Sequence, residues 1–154
     1  MQASKSTASP VSRAVLLVDD NPHGLVARRR VLIDLGYQVT TALSAEEALG
    51  LLEEEGRFFD VVVTDFRMIA MDGVELIARV KVISPATKTV LLSGFVEPLG
   101  MTEESTGADA VVSKSAGEVG QLTRTVKSLL ARSVTRKPAA SQDRGRPPLM
   151  VKNV

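Results

Sequence analysis

The chain has 154 residues, 19 Lys and Arg against 18 Asp and Glu, 44% hydrophobic side chains and no cysteine. That length fits one domain around one core. The lack of cysteine excludes disulfides, thiolate catalysis and Cys-ligated zinc, and the single histidine, His23, excludes a His-based metal centre.

No apolar run approaches the roughly 20 residues needed to cross a bilayer. Residues 1–13 lack the apolar stretch of a secretory signal, so the expectation is a cytoplasmic protein without membrane contact. Charge is unevenly spread. Residues 14–127 hold 11 basic against 17 acidic side chains, whereas residues 128–154 hold 6 basic against Asp143 alone, together with Pro138, Pro147 and Pro148. The expected organisation is a flexible tail at 1–13, a folded unit at 14–132 and a disordered basic tail at 133–154.

In chain order, Ala14 to Val18 is a continuous apolar run of the kind buried on both faces of a parallel sheet. It ends at Asp19-Asp20-Asn21-Pro22, where Asn21 can cap a helix and Pro22 suits its first turn; the helix stops at Gly36. A second strand at Gln38 to Ala42 leads to Ser44-Ala45-Glu46-Glu47, a capping-box pattern that starts a helix ending near Gly56. Val61 to Thr64 is a third strand running into Asp65, followed by a helix over Val74 to Val82 that closes at Ser84-Pro85.

The fourth strand, Thr89 to Leu92, ends at Ser93-Gly94, and the fifth, Ala110 to Ser113, ends at Lys114. Between them Pro98 and Gly100 leave room only for a short helix. Val119, Leu122, Val126, Leu129 and Leu130 then draw one apolar stripe along a last helix. Five strands alternating with five helices imply an α/β fold: a doubly wound, flavodoxin-like parallel sheet of order 2-1-3-4-5 with helices on both faces. In such sheets the functional crevice lies beyond the carboxyl ends of the strands, where the strand order reverses between strands one and three.

Asp19, Asp20 and Asp65 converge at that crevice, and three carboxylates cannot all stay ionised close together without protonation or a compensating cation. Oxygen ligands alone favour a hard cation, and Mg²⁺ in particular, which binds through carboxylates, waters and phosphate oxygens. Lys114 adds a positive charge and Ser93 a hydroxyl, both suited to a phosphoryl group on a carboxylate nucleophile.

These residues, with the Asp65-Phe66-Arg67-Met68 and Met71-Asp72-Gly73 runs, resemble the receiver domains of two-component response regulators over Ala14 to Arg132, in the manner of a chemotaxis-regulator-like single-domain receiver. The resemblance implies that Asp65 is the phosphoacceptor. Asp19, Asp20, Asp65 and the backbone carbonyl of Arg67 would hold Mg²⁺, and Ser93 and Lys114 would contact the phosphoryl oxygens. It implies a histidine kinase or histidine phosphotransfer protein as donor, and a downstream protein that reads the face of the fourth helix, fifth strand and fifth helix. Homodimerisation is left open.

Three positions depart from the family pattern. Ile69 and Ser115 stand where proline is usual, and Val111 stands where the family carries its switch aromatic. Without proline, a cis bond after Lys114 is disfavoured by about 3 kcal/mol, and aromatic rotamer exchange cannot be the readout. A degenerate receiver that binds proteins without phosphorylation is therefore a competing reading. A phosphatase of the haloacid-dehalogenase kind is disfavoured, since Arg67 stands where that mechanism needs a second Asp.

Blander roles are expected elsewhere. His23 is read as an exposed structural residue, and Met68 and Met71 as loop packing. Successive positions of a helix point in different directions, so Arg28-Arg29-Arg30 is read as a solvated face. The basic tail lacks aromatics and periodicity, and no specific nucleic-acid partner is expected.

Overall fold

The computed structural model describes residues 12–140. Five strands, β1 (Ala14–Val18), β2 (Gln38–Ala42), β3 (Val61–Asp65), β4 (Lys88–Ser93) and β5 (Ala110–Ser113), alternate with five helices, α1 (Pro22–Asp34), α2 (Ala45–Leu52), α3 (Gly73–Ile83), α4 (Glu103–Thr106) and α5 (Glu118–Ala140). The strands form one parallel sheet in the order β2-β1-β3-β4-β5. Helix α4 is a single turn, as Pro98 and Gly100 foretell.

Alternate side chains of each strand point to opposite faces, which divides the apolar residues into separate cores. Val15, Leu17, Val61, Val63, Val90 and Leu92 pack with Leu25 and Leu32 of α1 and with Leu122, Val126, Leu129 and Leu130 of α5. On the other face Leu16, Val18 and Val62 meet Ala45, Ala48 and Leu52 of α2 and Leu76 and Val80 of α3. A smaller cluster of Ile77, Leu91 and Ala108 takes in Phe66, Val74, Met101 and Val111 at its edge.

The helix starts follow their capping residues. Asn21 accepts from the His23 amide at 3.0 Å with Pro22 at the helix entry, and Asp72 accepts from the Glu75 amide at 2.9 Å. Ser44 accepts from the Glu47 amide at 3.0 Å, whereas the Glu47 carboxylate reaches one residue beyond the expected partner, to the Leu43 amide at 2.8 Å. At the end of α1, Gly36 adopts φ +99° and lets the Tyr37 amide bond back to the Leu32 carbonyl at 3.2 Å, closing the helix as its position suggests.

Two expectations meet a different outcome or none. Helix α5 continues past Arg132, where the sequence reading ends the folded unit, and runs to Ala140. The remainder of the expected basic tail, residues 141–154, and residues 1–11 of the expected amino-terminal tail lie outside the described residues.

Candidate functional site

The sheet delivers the acids to one edge. Val18 is in register with Ala42 on one side and Thr64 on the other, so the residues that follow, Asp19 and Asp65, leave adjacent strands at the same level. The Asp19 amide is still held by the Ala42 carbonyl at 3.1 Å, and the Phe66 amide by the Leu92 carbonyl at 2.8 Å, which fixes both chain exits. Gly73 completes this floor. Its amide donates to the Phe66 carbonyl at 2.8 Å, and a Cβ there would collide with the Asp65 carbonyl and lie 2.8 Å from Leu91 Cδ1. Only glycine lets α3 start this close to β3.

Asp19 and Asp65 are buried and Asp20 is exposed, and each offers one carboxylate oxygen within 4.8 Å of the others. Asp19 Oδ1 accepts from the Asn21 amide at 3.0 Å, and Asp20 Oδ2 from the Ile69 amide at 3.3 Å. Lys114 Nζ is ion-paired with Asp65 Oδ1. Its backbone amide is bonded to the Ser93 carbonyl at 2.9 Å, which ties the β5 exit to the β4 exit. The Ser93 hydroxyl is buried at the same edge and accepts from the Phe95 amide at 2.8 Å.

Burial pushes the Asp65 carboxyl above its ordinary value. The hydrogen bond and charge of Lys114 pull the other way, but the neighbouring Asp19 charge adds to the upward push. An acid held against its preference for water is one that gains from any cation placed beside it. The donor set is all oxygen, concentrated on three carboxylates and open on the Asp20 side, which fits Mg²⁺ with its retained waters.

The departures from the family pattern have visible consequences. Ile69 is 81% exposed on a loop in which Ala70 takes φ +73°. No cis peptide bond occurs among the described residues. Val111 is half-buried against the small third cluster, and Arg67 lays its guanidinium over the Phe95 ring, 4.6 Å from the centroid. Phe95 also meets Phe66 edge-on, with ring centroids 6.3 Å apart. Met68 and Met71 pack inward and His23 is exposed, in keeping with structural roles.

One reading is corrected. Of the three consecutive arginines only Arg29 and Arg30 are solvated; Arg28 is buried, with NH1 on Asp19 Oδ2 at 2.8 Å and Nε on Glu118 Oε2 at 2.5 Å. The signal lay in the spacing: Arg28 falls between Leu25 and Leu32 on the stripe that α1 turns to the sheet. Burial works against its charge, but the Glu118 and then the Asp19 contacts outweigh that and hold its pKa above that of ordinary arginine.

Among the described residues no helix is long and apolar enough to cross a membrane. Residues 15–127 match the family model described as the response regulator receiver domain. The chain is 42% identical over 71 residues to the two-component response regulator ORR21 of Oryza sativa subsp. indica, a match covering 46% of this chain and 10% of that protein. It is 33% identical over 126 residues to the sensor kinase CckA of Brucella abortus (strain 2308), covering 82% of this chain and 13% of the other. It thus spans about a tenth of the length of these relatives.

Among solved structures, a CheY-like receiver domain protein from Methanospirillum hungatei JF-1 aligns with TM-score 0.73 at 25% identity, covering 82% of this chain and 99% of that one. The response regulator TrrA of Thermotoga maritima, solved in complex with Mg²⁺-BeF, aligns with TM-score 0.66 at 27% identity, covering 76% and 98% respectively. By its fold and its matched residues, the chain belongs to the response regulator receiver domain family, the phosphoacceptor module of two-component signalling.

Proposed function

We propose that Asp65 accepts a phosphoryl group from the phosphohistidine of a histidine kinase or phosphotransfer protein. The observation that carries the reading is the pairing of Lys114 with Asp65 at the point where three carboxylates converge. In the transfer an Asp65 carboxylate oxygen bonds to phosphorus as the donor's N–P bond breaks, and the electron pair of that bond returns to the imidazole nitrogen. Asp19, Asp20, Asp65 and the Arg67 carbonyl would hold Mg²⁺, which supplies charge neutralisation at the phosphoryl oxygens when bound.

This chain's own residues then receive the group. Lys114, tethered through its amide to β4, moves its ammonium from the Asp65 carboxylate to a phosphoryl oxygen. Ser93 accepts from the Phe95 amide and keeps its own proton to donate. Drawing Ser93 toward the phosphoryl group moves the Phe95 loop, and with it the Arg67 and Phe66 contacts. In the absence of a switch aromatic at Val111, this cluster links the site to the face of α4, β5 and α5 that a downstream protein reads.

The test is intact mass after incubation with acetyl phosphate, with and without Mg²⁺. The expected result is one phosphoryl adduct that requires Mg²⁺ and is absent in Asp65→Asn. An adduct that persists in that variant would overturn the assignment, and no adduct under any condition would favour the phosphorylation-independent binding module.

A further inference from the structure

Arg28 is a buried cation that the phosphoryl chemistry above does not use. It reaches the acid pocket from α1, and its guanidinium is held by acids from different parts of the chain. Asp19 is the first residue beyond β1, and Glu118 is the first residue of α5, only a few residues past Lys114. The Glu118 amide is itself fixed to the Ser115 carbonyl at 3.0 Å, so the loop from Lys114 and the start of α5 form one connected unit.

A second observation shows that the arrangement is built into α1. Gly24 lies one turn before Arg28 inside the helix, where glycine is the poorest residue after proline. A Cβ at Gly24 would fall 2.7 Å from Asp19 Oδ2 and 3.0 Å from Arg28 NH1, the two atoms that form the ion pair. Helix propensity has been given up at the one position over which the Asp19–Arg28 contact passes. Gly24 takes an ordinary helical φ, so backbone freedom does not explain it.

We infer that Arg28 is a positioning residue that competes with a bound divalent cation for Asp19 and, through Glu118, makes the start of α5 respond to whether the acid pocket is filled. With the pocket empty of metal, the guanidinium neutralises Asp19 and holds it beside Asp65. With a divalent cation held among the carboxylates, Asp19 would be neutralised without the guanidinium, and Arg28 would then lean on Glu118 alone. The position of the first turn of α5, on the face that partners read, thereby comes to depend on the pocket. This rests on the Mg²⁺ reading of the acid cluster.

The test combines calorimetric Mg²⁺ titration with amide chemical shifts, in the whole chain. Replacing Arg28 with Met keeps the apolar stem and removes the competitor, so Arg28→Met is expected to bind Mg²⁺ about tenfold more tightly than wild type. Glu118→Gln removes the acid that draws the guanidinium away and is expected to bind about threefold more weakly. Mg²⁺ should shift the amides of Glu118 to Leu122 in wild type and leave them unmoved in Arg28→Met. Gly24→Ala should lower the melting temperature with Arg28 in place and lower it less in the Arg28→Met background, where Asp19 is free to turn aside, a difference that loss of a generic helix contact would not give.

If wild type binds Mg²⁺ and both single variants bind it with unchanged affinity, the inference is overturned while the metal site stands. If wild type does not bind Mg²⁺, the metal site itself is overturned. Should Arg28→Met not fold, Glu118→Gln and Gly24→Ala decide: unchanged affinity in the first together with unchanged stability in the second overturns the coupling.

Discussion

Acids line both edges of the same sheet, and the two edges treat them in opposite ways. At the amino edge Asp60, just before β3, accepts from the Ala14 amide at 2.8 Å and meets Arg13 at 3.3 Å. Asp109, just before β5, accepts from the Thr89 amide at 2.8 Å, the Thr89 hydroxyl at 3.1 Å and Lys81 at 3.2 Å. Burial acts against the Asp109 charge, but the Thr89 amide and Lys81 overcome it and hold its carboxyl below the ordinary value. At the carboxyl edge Asp65 has Lys114 but also Asp19 beside it, and its carboxyl is held above the ordinary value.

The amino-edge acids are clamps whose charge is already satisfied by donors of the fold, so they need no ligand. At the carboxyl edge Arg28 and the Asn21 amide meet Asp19, but Asp65 sits beside that like charge with its carboxyl held above the ordinary value, and that imbalance is what a bound cation can relieve. This asymmetry separates structural acids from reactive ones on physical grounds alone.

The largest way to break the comparison is Asp65→Asn. It should abolish the phosphoryl adduct and, in metal-free buffer, raise the melting temperature by a few degrees, because it removes a charge that the fold disfavours. A lower melting temperature would mean that the Lys114 pair outweighs the crowding. Asp109→Ala should do the reverse and cost about 1–3 kcal/mol in urea unfolding, since it strands the buried Thr89 amide and leaves Lys81 without its acceptor. Gly73→Ala belongs with it, at about 1–3 kcal/mol, for the overlap with the Asp65 carbonyl and Leu91.

The pH dependence sharpens the contrast, because the two shifts have opposite sign. The Asp65 value in the fold lies above its ordinary 3.8, so its favourable contribution is complete below 3.8 and is lost as pH rises through the folded value. The Asp109 value lies below 3.8, so its contribution is complete above 3.8 and is lost as pH falls through the folded value. Stability measured from pH 3 to 7 should therefore lose its acid-side decline in part in Asp109→Asn and gain at neutral pH in Asp65→Asn. The same change in both variants would sink the distinction.

Much of this could be read from the chain. Apolar runs ending in Asp19-Asp20, Asp65, Ser93 and Lys114 are a local signal, because a parallel strand buried on both faces is apolar throughout and its polar terminus marks the edge. Helices on both faces follow from crossover handedness, and the order 2-1-3-4-5 is the common solution for such a sheet. Arg28 was missed because a run of like charges hides which member faces inward, and its partner Glu118 is 90 residues away. The Glu47 bond to Leu43 differs from the expected box by one residue, a matter of side-chain reach that pattern does not encode. Basic, proline-containing composition argues against a helix locally, so the run of α5 on to Ala140 from its well-anchored start is not legible there.

The smallest predicted effect concerns the loop that brings Asp20 into the site. Met71 N donates to the Ile69 carbonyl at 2.9 Å across Ala70, a three-residue turn whose central residue takes φ +73°. For an L-residue with a Cβ that conformation costs roughly 1–2 kcal/mol. Ala70→Gly would relieve it but would also give the unfolded chain more freedom, a penalty of about 0.5–1 kcal/mol. Ala70 is exposed, so its methyl adds little packing, and strain relief should win by about 0.5 kcal/mol. The same turn points the Ile69 amide at Asp20 Oδ2, so a more pliant turn should hold Asp20 less firmly and weaken Mg²⁺ binding slightly while the fold gains stability. Urea unfolding and Mg²⁺ titration on the one variant check both signs, and a loss of stability would show that Ala70 is not strained.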